Sequence, residues 1–285
     1  MASRTEAARG WTNPVGERAQ FQVHPDLGIE RIRARFLKQQ FPAHSHDAYL
    51  IGLTVEGAEE FVQARIRGTS RPGQIRLIDP GVIHSGGPPQ GGSWSYEALY
   101  VPPAVMAAVA GSAEDAPPRF SEPVIDDPAL ADSLRSLFDL LDGSSEPLER
   151  HACFAGAMRD LCADHATFSV QAEQPGEHRG VSRARAYLDA HALVKIPLEV
   201  LARESGLSKF HLLRVFRDRT GLTPWQYQVN LRLDHARRLL QRGEPASQVA
   251  DACGFVDQSH FTRIFRTVVG VTPAVYAASY RNPAR

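Results

Sequence analysis

The sequence is poor in sulfur and in long apolar runs. Cys153, Cys162 and Cys253 are the only cysteines among 285 residues, too few and of the wrong parity for a disulfide framework, and this points to a reducing cytosol. No stretch approaches the ~18 uninterrupted apolar residues of a membrane-spanning helix. The opening Met1-Ala2-Ser3-Arg4-Thr5-Glu6 carries no apolar core of the kind a secretory signal needs. A soluble, cytoplasmic protein with no membrane partner is therefore expected. Net charge is also lacking, with 32 Lys and Arg against 32 Asp and Glu. At 43% hydrophobic and 22% charged, the chain has enough apolar material for at least one sizeable core, which excludes collagen-like, disordered and wholly coiled-coil readings.

The zero charge is the sum of two unlike parts. Residues 1–178 carry 15 Lys and Arg against 24 Asp and Glu, and residues 179–285 carry 17 against 8. An acidic part joined to a basic one suggests that only the C-terminal part meets a polyanion. The division falls at a polar stretch, residues 169–180, with Pro175-Gly176 inside it and no sustained apolar period. It reads as a linker between domains at 1–168 and 181–285.

Before residue 125, short runs at 28–36, 49–54, 75–78 and 95–101 lie between Gly- and Pro-rich breaks, the pattern of an antiparallel sandwich or barrel. Two helical periods follow. Leu130, Leu134, Leu137 and Leu141 mark one. Ala152, Ala155, Met158 and Leu161 or Cys162 mark the other, across a Gly-Ser-Ser break. They make a helical hairpin, placed either against the barrel or against its copy in a dimer.

After residue 180 nearly everything has a helical period, and two segments share one layout. Ala202 is followed by Gly206, Leu207 and Ser208; Ala250 is followed by Gly254, Phe255 and, after one further residue, Asp257. A small residue where a second helix crosses, a glycine for the turn and a capping side chain define a helix-turn-helix. The following helices bury Leu212, Val215 and Phe216 in the first unit, and Phe261, Ile264 and Phe265 in the second. The opposite faces carry Lys209, Phe210, Leu213, Arg214 and Arg217 in one, and Gln258, Ser259, His260, Thr262, Arg263 and Arg266 in the other. Such faces suit a major groove. An amphipathic helix from about Pro224 to Arg242 holds the units together.

With these residues in view, 181–281 resembles the DNA-binding domain of the AraC family of bacterial transcription regulators. The run from Gly254 through Phe261 to Arg266, continuing to Gly270-Val-Thr-Pro273 and Tyr276, carries the resemblance most specifically. It implies two units entering successive major-groove segments of double-stranded promoter DNA. Arg214 and Arg263 are the candidates for bidentate guanine contacts, and Phe210 and Leu213 for thymine methyls. Lys209, Arg217 and Arg266 are the candidates for phosphates.

In the N-terminal part, His44 and His46 share one face of a strand and His84 follows a Pro80-Gly81 turn. With the short strands, this resembles a cupin barrel. Three imidazoles of this kind hold a divalent metal, contact a small-molecule effector or form a structural framework. The acidic ligand of metallocupins would fall near Leu50 or Ile51, which are apolar. Trp94 and Tyr96, alternating with Ala98 and Tyr100, are further candidates to line an effector pocket. Arg31, Arg33 and Arg35 alternate on another strand, facing either an anionic effector or solvent.

The expectation is thus a multidomain α and β protein: an N-terminal cupin-like β-barrel with a helical hairpin, then an all-α bipartite helix-turn-helix domain. Its function is effector-controlled, sequence-specific transcription regulation, with no catalytic residues and no required cofactor. A homodimer is expected, with RNA polymerase as a partner if the protein is an activator. The rival readings are a metallocupin enzyme fused to a DNA-binding module and a DNA-binding dimer that needs no effector.

Overall fold

The computed structural model describes residues 11–12, 16–112, 117–143, 145–168 and 179–281. The N-terminal strands are β1 (Trp11–Thr12), β2 (Arg18–His24), β3 (Ile29–Phe36), β4 (Phe41–His44), β5 (Tyr49–Gly57), β6 (Glu59–Gln63), β7 (Ile66–Ser70), β8 (Ile75–Ile78), β9 (His84–Gly87) and β10 (Trp94–Val101). Helix α1 (Pro103–Ala110), strands β11 (Pro118–Phe120) and β12 (Val124–Ile125), helices α2 (Pro128–Asp142) and α3 (Pro147–His165), and strand β13 (Ala166–Phe168) complete the domain. The strands form a seven-stranded sheet, β1-β2-β3-β10-β5-β8-β12, facing a four-stranded sheet, β4-β9-β6-β7; β11 pairs with β13. The expected barrel-like domain and helical hairpin are both present.

Alternation on β3 decides which face meets what. Ile32, Ala34 and Phe36 are buried on the inner face. Arg31 lies on the outer face yet is fully buried, because the end of α2 covers it. Its guanidinium binds Glu97 and Asp142 and sits 5.1 Å over the Phe138 ring. Arg33 joins the same carboxylates from a more exposed position. The arginine row therefore clamps the helical hairpin and faces away from the barrel interior. Around it, Leu130, Leu134, Leu137 and Leu141 of α2 pack with Phe154, Ala157, Met158 and Leu161 of α3 into one core with α1 and the sheet. The α3 stripe is rotated from the expected one. Ala152 is exposed and Phe154 is inside, since the larger apolar side chain gains more from burial.

The C-terminal domain comprises α4 (Arg179–Ala190), α5 (Leu198–Ser205), α6 (Lys209–Thr220), α7 (Pro224–Gln241), α8 (Ala246–Ala252), α9 (Gln258–Val269) and α10 (Pro273–Arg281). Of the expected linker, residues 169–178 lie outside the described residues, and Arg179 and Gly180 already belong to α4. Helices α4, α5 and α6 share a small core through Val181, Leu188, Leu201, Leu212 and Phe216. The second unit differs. Val229, Leu233, Phe261, Phe265, Val271 and Tyr276 pack in one continuous core with Phe21, Phe36, Trp94 and Tyr96 of the barrel. Phe21 meets Tyr276 edge-on at 5.6 Å.

A polar hub closes the same boundary. The Glu30 carboxylate on β3 accepts hydrogen bonds from Arg237 at 3.2 Å, Gln241 at 3.2 Å and Tyr276 at 3.1 Å, and from the Tyr280 hydroxyl. The Arg237 guanidinium lies over Tyr100 and Tyr276. The Glu30 charge is among the causes that hold the Arg237 pKa up despite burial. Arg238 approaches Asp47 at 3.6 Å.

Candidate functional site: two recognition helices and a barrel cavity

Both helix-turn-helix turns form as the residue types require. Gly206 and Gly254 adopt φ of +69° and +70°, and a Cβ at Gly254 would lie 2.2 Å from the Leu193 carbonyl oxygen. Only glycine fits that close approach. The Ser208 hydroxyl accepts from the His211 amide at 3.4 Å and Asp257 accepts from the His260 amide at 2.7 Å, capping α6 and α9. Ala202 and Ala250 are buried where the helices cross.

Most of the residues expected on the outward faces are exposed. On α6, Lys209, Phe210, Arg214 and Arg217 are exposed and Leu213 is half-buried; Lys209 is paired with Glu199 at 2.5 Å. Phe210 leaves 87% of its surface open. On α9, Gln258, Ser259, Arg263 and Arg266 are exposed and Thr262 is half-buried. His260 is drawn inward, its ring edge-on to Phe255 at 5.9 Å. Gln258, Ser259, Thr262, Arg263 and Arg266 line a surface groove beside Gln39 of the barrel, whose side chain donates to the Thr267 carbonyl at 3.2 Å.

The histidines converge because of strand register. His44 on β4 stands directly opposite His84 on β9. The Asp79–Val82 turn, with Gly81 at φ +76°, is tied back to His46 by a 2.8 Å bond from the Gly81 amide to the His46 carbonyl. Ring centroids are 4.2 Å apart for His44 and His84, 4.9 Å for His46 and His84, and 6.4 Å for His44 and His46. Each Nδ1 meets a backbone carbonyl: Pro42 at 2.7 Å, Ala48 at 2.6 Å and Val82 at 3.0 Å. A carbonyl only accepts, so each Nδ1 carries the proton and each Nε2 keeps its lone pair. Burial drives the pKa values down, to about 4 for His44 and about 3 for His46, and well below the usual value for His84. Burial thus favours the neutral form of all three rings. Among the described residues no group of three or more His, Cys, Asp or Glu is arranged to hold a metal ion.

His44 and His84 line a cavity inside the barrel together with Trp94 and Tyr96; His46 lies beside it and lines a smaller one against α7. Trp94 and Tyr96 stack on each other at 4.1 Å. Leu50 occupies the wall where a metallocupin carboxylate would stand. Two features escaped the sequence reading. One is a buried ion pair, Arg76 to Glu59 at 2.9 Å, on the cavity wall. Its signal was present, a single charge inside the otherwise apolar strand Ile75-Arg76-Leu77-Ile78. Burial disfavours the charged form of each partner and their mutual attraction opposes it. The other is that Val268 and Val269, the last residues of α9, close the cavity. Nothing in their local sequence announces a contact with residues more than 160 positions away. The cavity is small, about 40 Å³, against roughly 10–15 Å³ for one water.

Fold and site together define a two-domain DNA-binding regulator with a ligand-binding domain. Residues 26–156 match the model of the AraC-like ligand binding domain, and residues 201–279 match that of a helix-turn-helix domain. The chain is 30% identical to the uncharacterized HTH-type transcriptional regulator YbfI of Bacillus subtilis over 243 residues, 84% of this chain and 88% of that protein. It is 37% identical over 89 residues to the transcriptional activator RhaS of Escherichia fergusonii, which covers 31% of this chain and 32% of RhaS. Among solved structures, ToxT of Vibrio cholerae has the same fold, with a TM-score of 0.53 at 11% identity over 89% of this chain and 98% of that one. The chain belongs to the AraC family of transcription regulators. Both of these relatives are transcription regulators by name, which sets the metallocupin-enzyme reading aside.

Proposed function

We propose that an effector enters the barrel cavity and that its arrival displaces the end of α9, moving the second recognition helix relative to the first. One observation carries this reading: Val268 and Val269 of the recognition helix are part of the cavity wall. As it stands the cavity has room for a few waters. A ring-sized ligand needs more, of the order of the ~150 Å³ that accommodates benzene in an apolar cavity. Space must come from a wall that can retreat, and the valines stand at the end of a helix outside the strand ladder of the barrel. The effector acts through its different affinity for the closed and opened arrangements.

In the same reading the C-terminal domain binds promoter DNA. Arg214 and Arg263 read guanines, Phe210 and Leu213 meet thymine methyls, and Gln258, Ser259, Thr262 and the inward-leaning His260 complete the base-facing set. Lys209, released from Glu199, joins Arg217 and Arg266 on phosphates. The protein acts in the cytoplasm as a homodimer paired through α2 and α3, and contacts RNA polymerase as an activator, the role named for RhaS. No cofactor is required; a divalent ion on the imidazoles is the competing occupant.

Two experiments test this. Selection from a random duplex pool by wild type and Arg263→Ala should differ at one base position, with a loss of about 1–3 kcal/mol there; uniform weakening overturns the base-reading role. Leu50→Trp, which fills the cavity from the barrel side, should speed amide exchange at the end of α9 without effector. Unchanged exchange there, with the cavity filled, overturns the displacement.

A further inference from the structure

The polar groups around the cavity are unbalanced, and the imbalance describes the ligand. His44 and His84 spend their only N–H on backbone carbonyls, which leaves Nε2 as the acceptor of each ring, and both rings line the cavity. The Glu59 carboxylate is a further acceptor on that wall. Two buried donors there lack partners, Arg76 Nη2 and Trp94 Nε1, and the Tyr96 and Tyr100 side chains also line the wall. The Arg76 side chain is 97% buried, since only 3% of it is exposed. Its Nε and Nη1 are committed to Glu59, Gln63 and Pro123.

We infer that the cavity takes an uncharged, hydroxyl- or N–H-bearing aromatic compound, which donates to His44 and His84 and accepts from Arg76 or Trp94. This rests on the effector reading above and narrows it. A ligand that displaces the water from this cavity must itself offer protons to these two neighbouring lone pairs. An anion would face Glu59 and two imidazoles with no proton to offer it, while the nearby cations Arg76 and Arg237 are already paired with Glu59 and Glu30. A cation would lie under Arg237, whose charge is felt at His44. A sugar presents a hydroxyl on nearly every carbon, more than these few free groups can partner, and each unpartnered one would be buried at a cost of ~1–3 kcal/mol. The remaining walls are flat or apolar: Phe41, Leu50, Ile78, Trp94 and Tyr96. They suit a ring face.

The test uses the full-length protein and three probes of one size: resorcinol, m-xylene, which puts methyls where resorcinol has hydroxyls, and benzoate. Calorimetric titration should find resorcinol binding at least tenfold tighter than either of the others, and His84→Phe should remove that advantage while leaving m-xylene unchanged. If m-xylene binds as well as resorcinol, the cavity remains an effector site and the donor requirement falls. If benzoate binds tightest, the uncharged requirement falls. If none binds and zinc does, with loss on His44→Ala, the imidazoles form a metal site and both readings fall. Binding of nothing overturns both as well. Should His84→Phe fail to fold, nitrogen NMR of the unliganded wild type decides the premise: both rings should carry the proton on Nδ1, and an Nε2–H form at either overturns the inference.

Discussion

The two helix-turn-helix units share a sequence layout and differ in what holds them. The first is closed by its own small core, Val181, Leu188, Leu201, Leu212 and Phe216. It touches the barrel lightly, through Ile83 against Gly221 and a bond from Arg65 to the Asp218 carbonyl. The second has no separate core among the described residues. Phe261 and Phe265 are continuous with Phe36 and Trp94 of the barrel, and a Cβ added at Gly270 would come within 3.3 Å of Phe41. A local motif fixes a helix pair and its turn. Which neighbour completes the core is set by the other faces of the helices, and those faces differ.

Acid should separate the two units most strongly. His44 and His46, buried and neutral beneath the second unit, have pKa values lowered to about 4 and about 3, and His24 is lowered to about 4, in each case chiefly by burial. The unfolded chain binds protons at ~6.5, so stability is full above that pH and falls as pH drops toward 4, by up to about 1.4 kcal/mol per pH unit for each ring. Asp79 and Asp234, raised to about 6 and about 7 by burial, work the other way. Denaturation across this range should therefore show His46→Phe with a flatter slope than wild type, and amides of α9 and α10 should lose protection before those of α4. Equal slopes would remove the barrel histidines as the cause.

Next in size are the core truncations. Phe265→Ala and Phe216→Ala each remove a fully buried ring, at about 3–5 kcal/mol. Hydrogen exchange should show β3 and β10 loosened by the first and untouched by the second. If both loosen the barrel equally, the contrast between the units is wrong.

A smaller loss, about 2–3 kcal/mol, is expected for Glu30→Ala, which leaves the buried Arg237 without its carboxylate partner. Small-angle scattering should register an expanded chain with α10 exchanging faster and α6 unchanged. The smallest effect belongs to the turn that reaches the first unit. Ala64 and Arg65 sit at φ +46° and +76° between β6 and β7, where Asn is tolerated better than Ala. Ala64→Asn should raise stability by about 0.5–1 kcal/mol in thermal melts.

Much of this was legible in the sequence. The glycines, caps and apolar steps of both units, the strand positions and the helical hairpin follow from local rules, because each is decided by residues within a turn or two. The meeting of His44 with His84 was visible only as a pattern, since their pairing depends on register across forty residues. Arg31 shows the limit. Strand alternation grouped it with Arg33 and Arg35 on a face turned either to an effector or to solvent, and only the arrival of Asp142 and Phe138 from α2 shows that it is covered by the hairpin. Likewise Val268 and Val269 look like ordinary helix-end residues until the barrel is beneath them.

The core that runs from β3 into α9 and α10 also bears on how this chain can be divided. A cut between residues 168 and 179 leaves each piece with a raw apolar face: Phe21, Phe36 and Trp94 on one, Val271, Tyr276 and Ala277 on the other. Such faces drive fragments to associate with themselves or with each other. The helix-turn-helix half made alone is thus expected to need detergent, a fusion partner or polar replacements at Val271 and Tyr276 to stay monodisperse. For the same reason, substitutions on the inner side of β3 and on α10 are constrained to change together, although the chain passes through more than 200 residues between them.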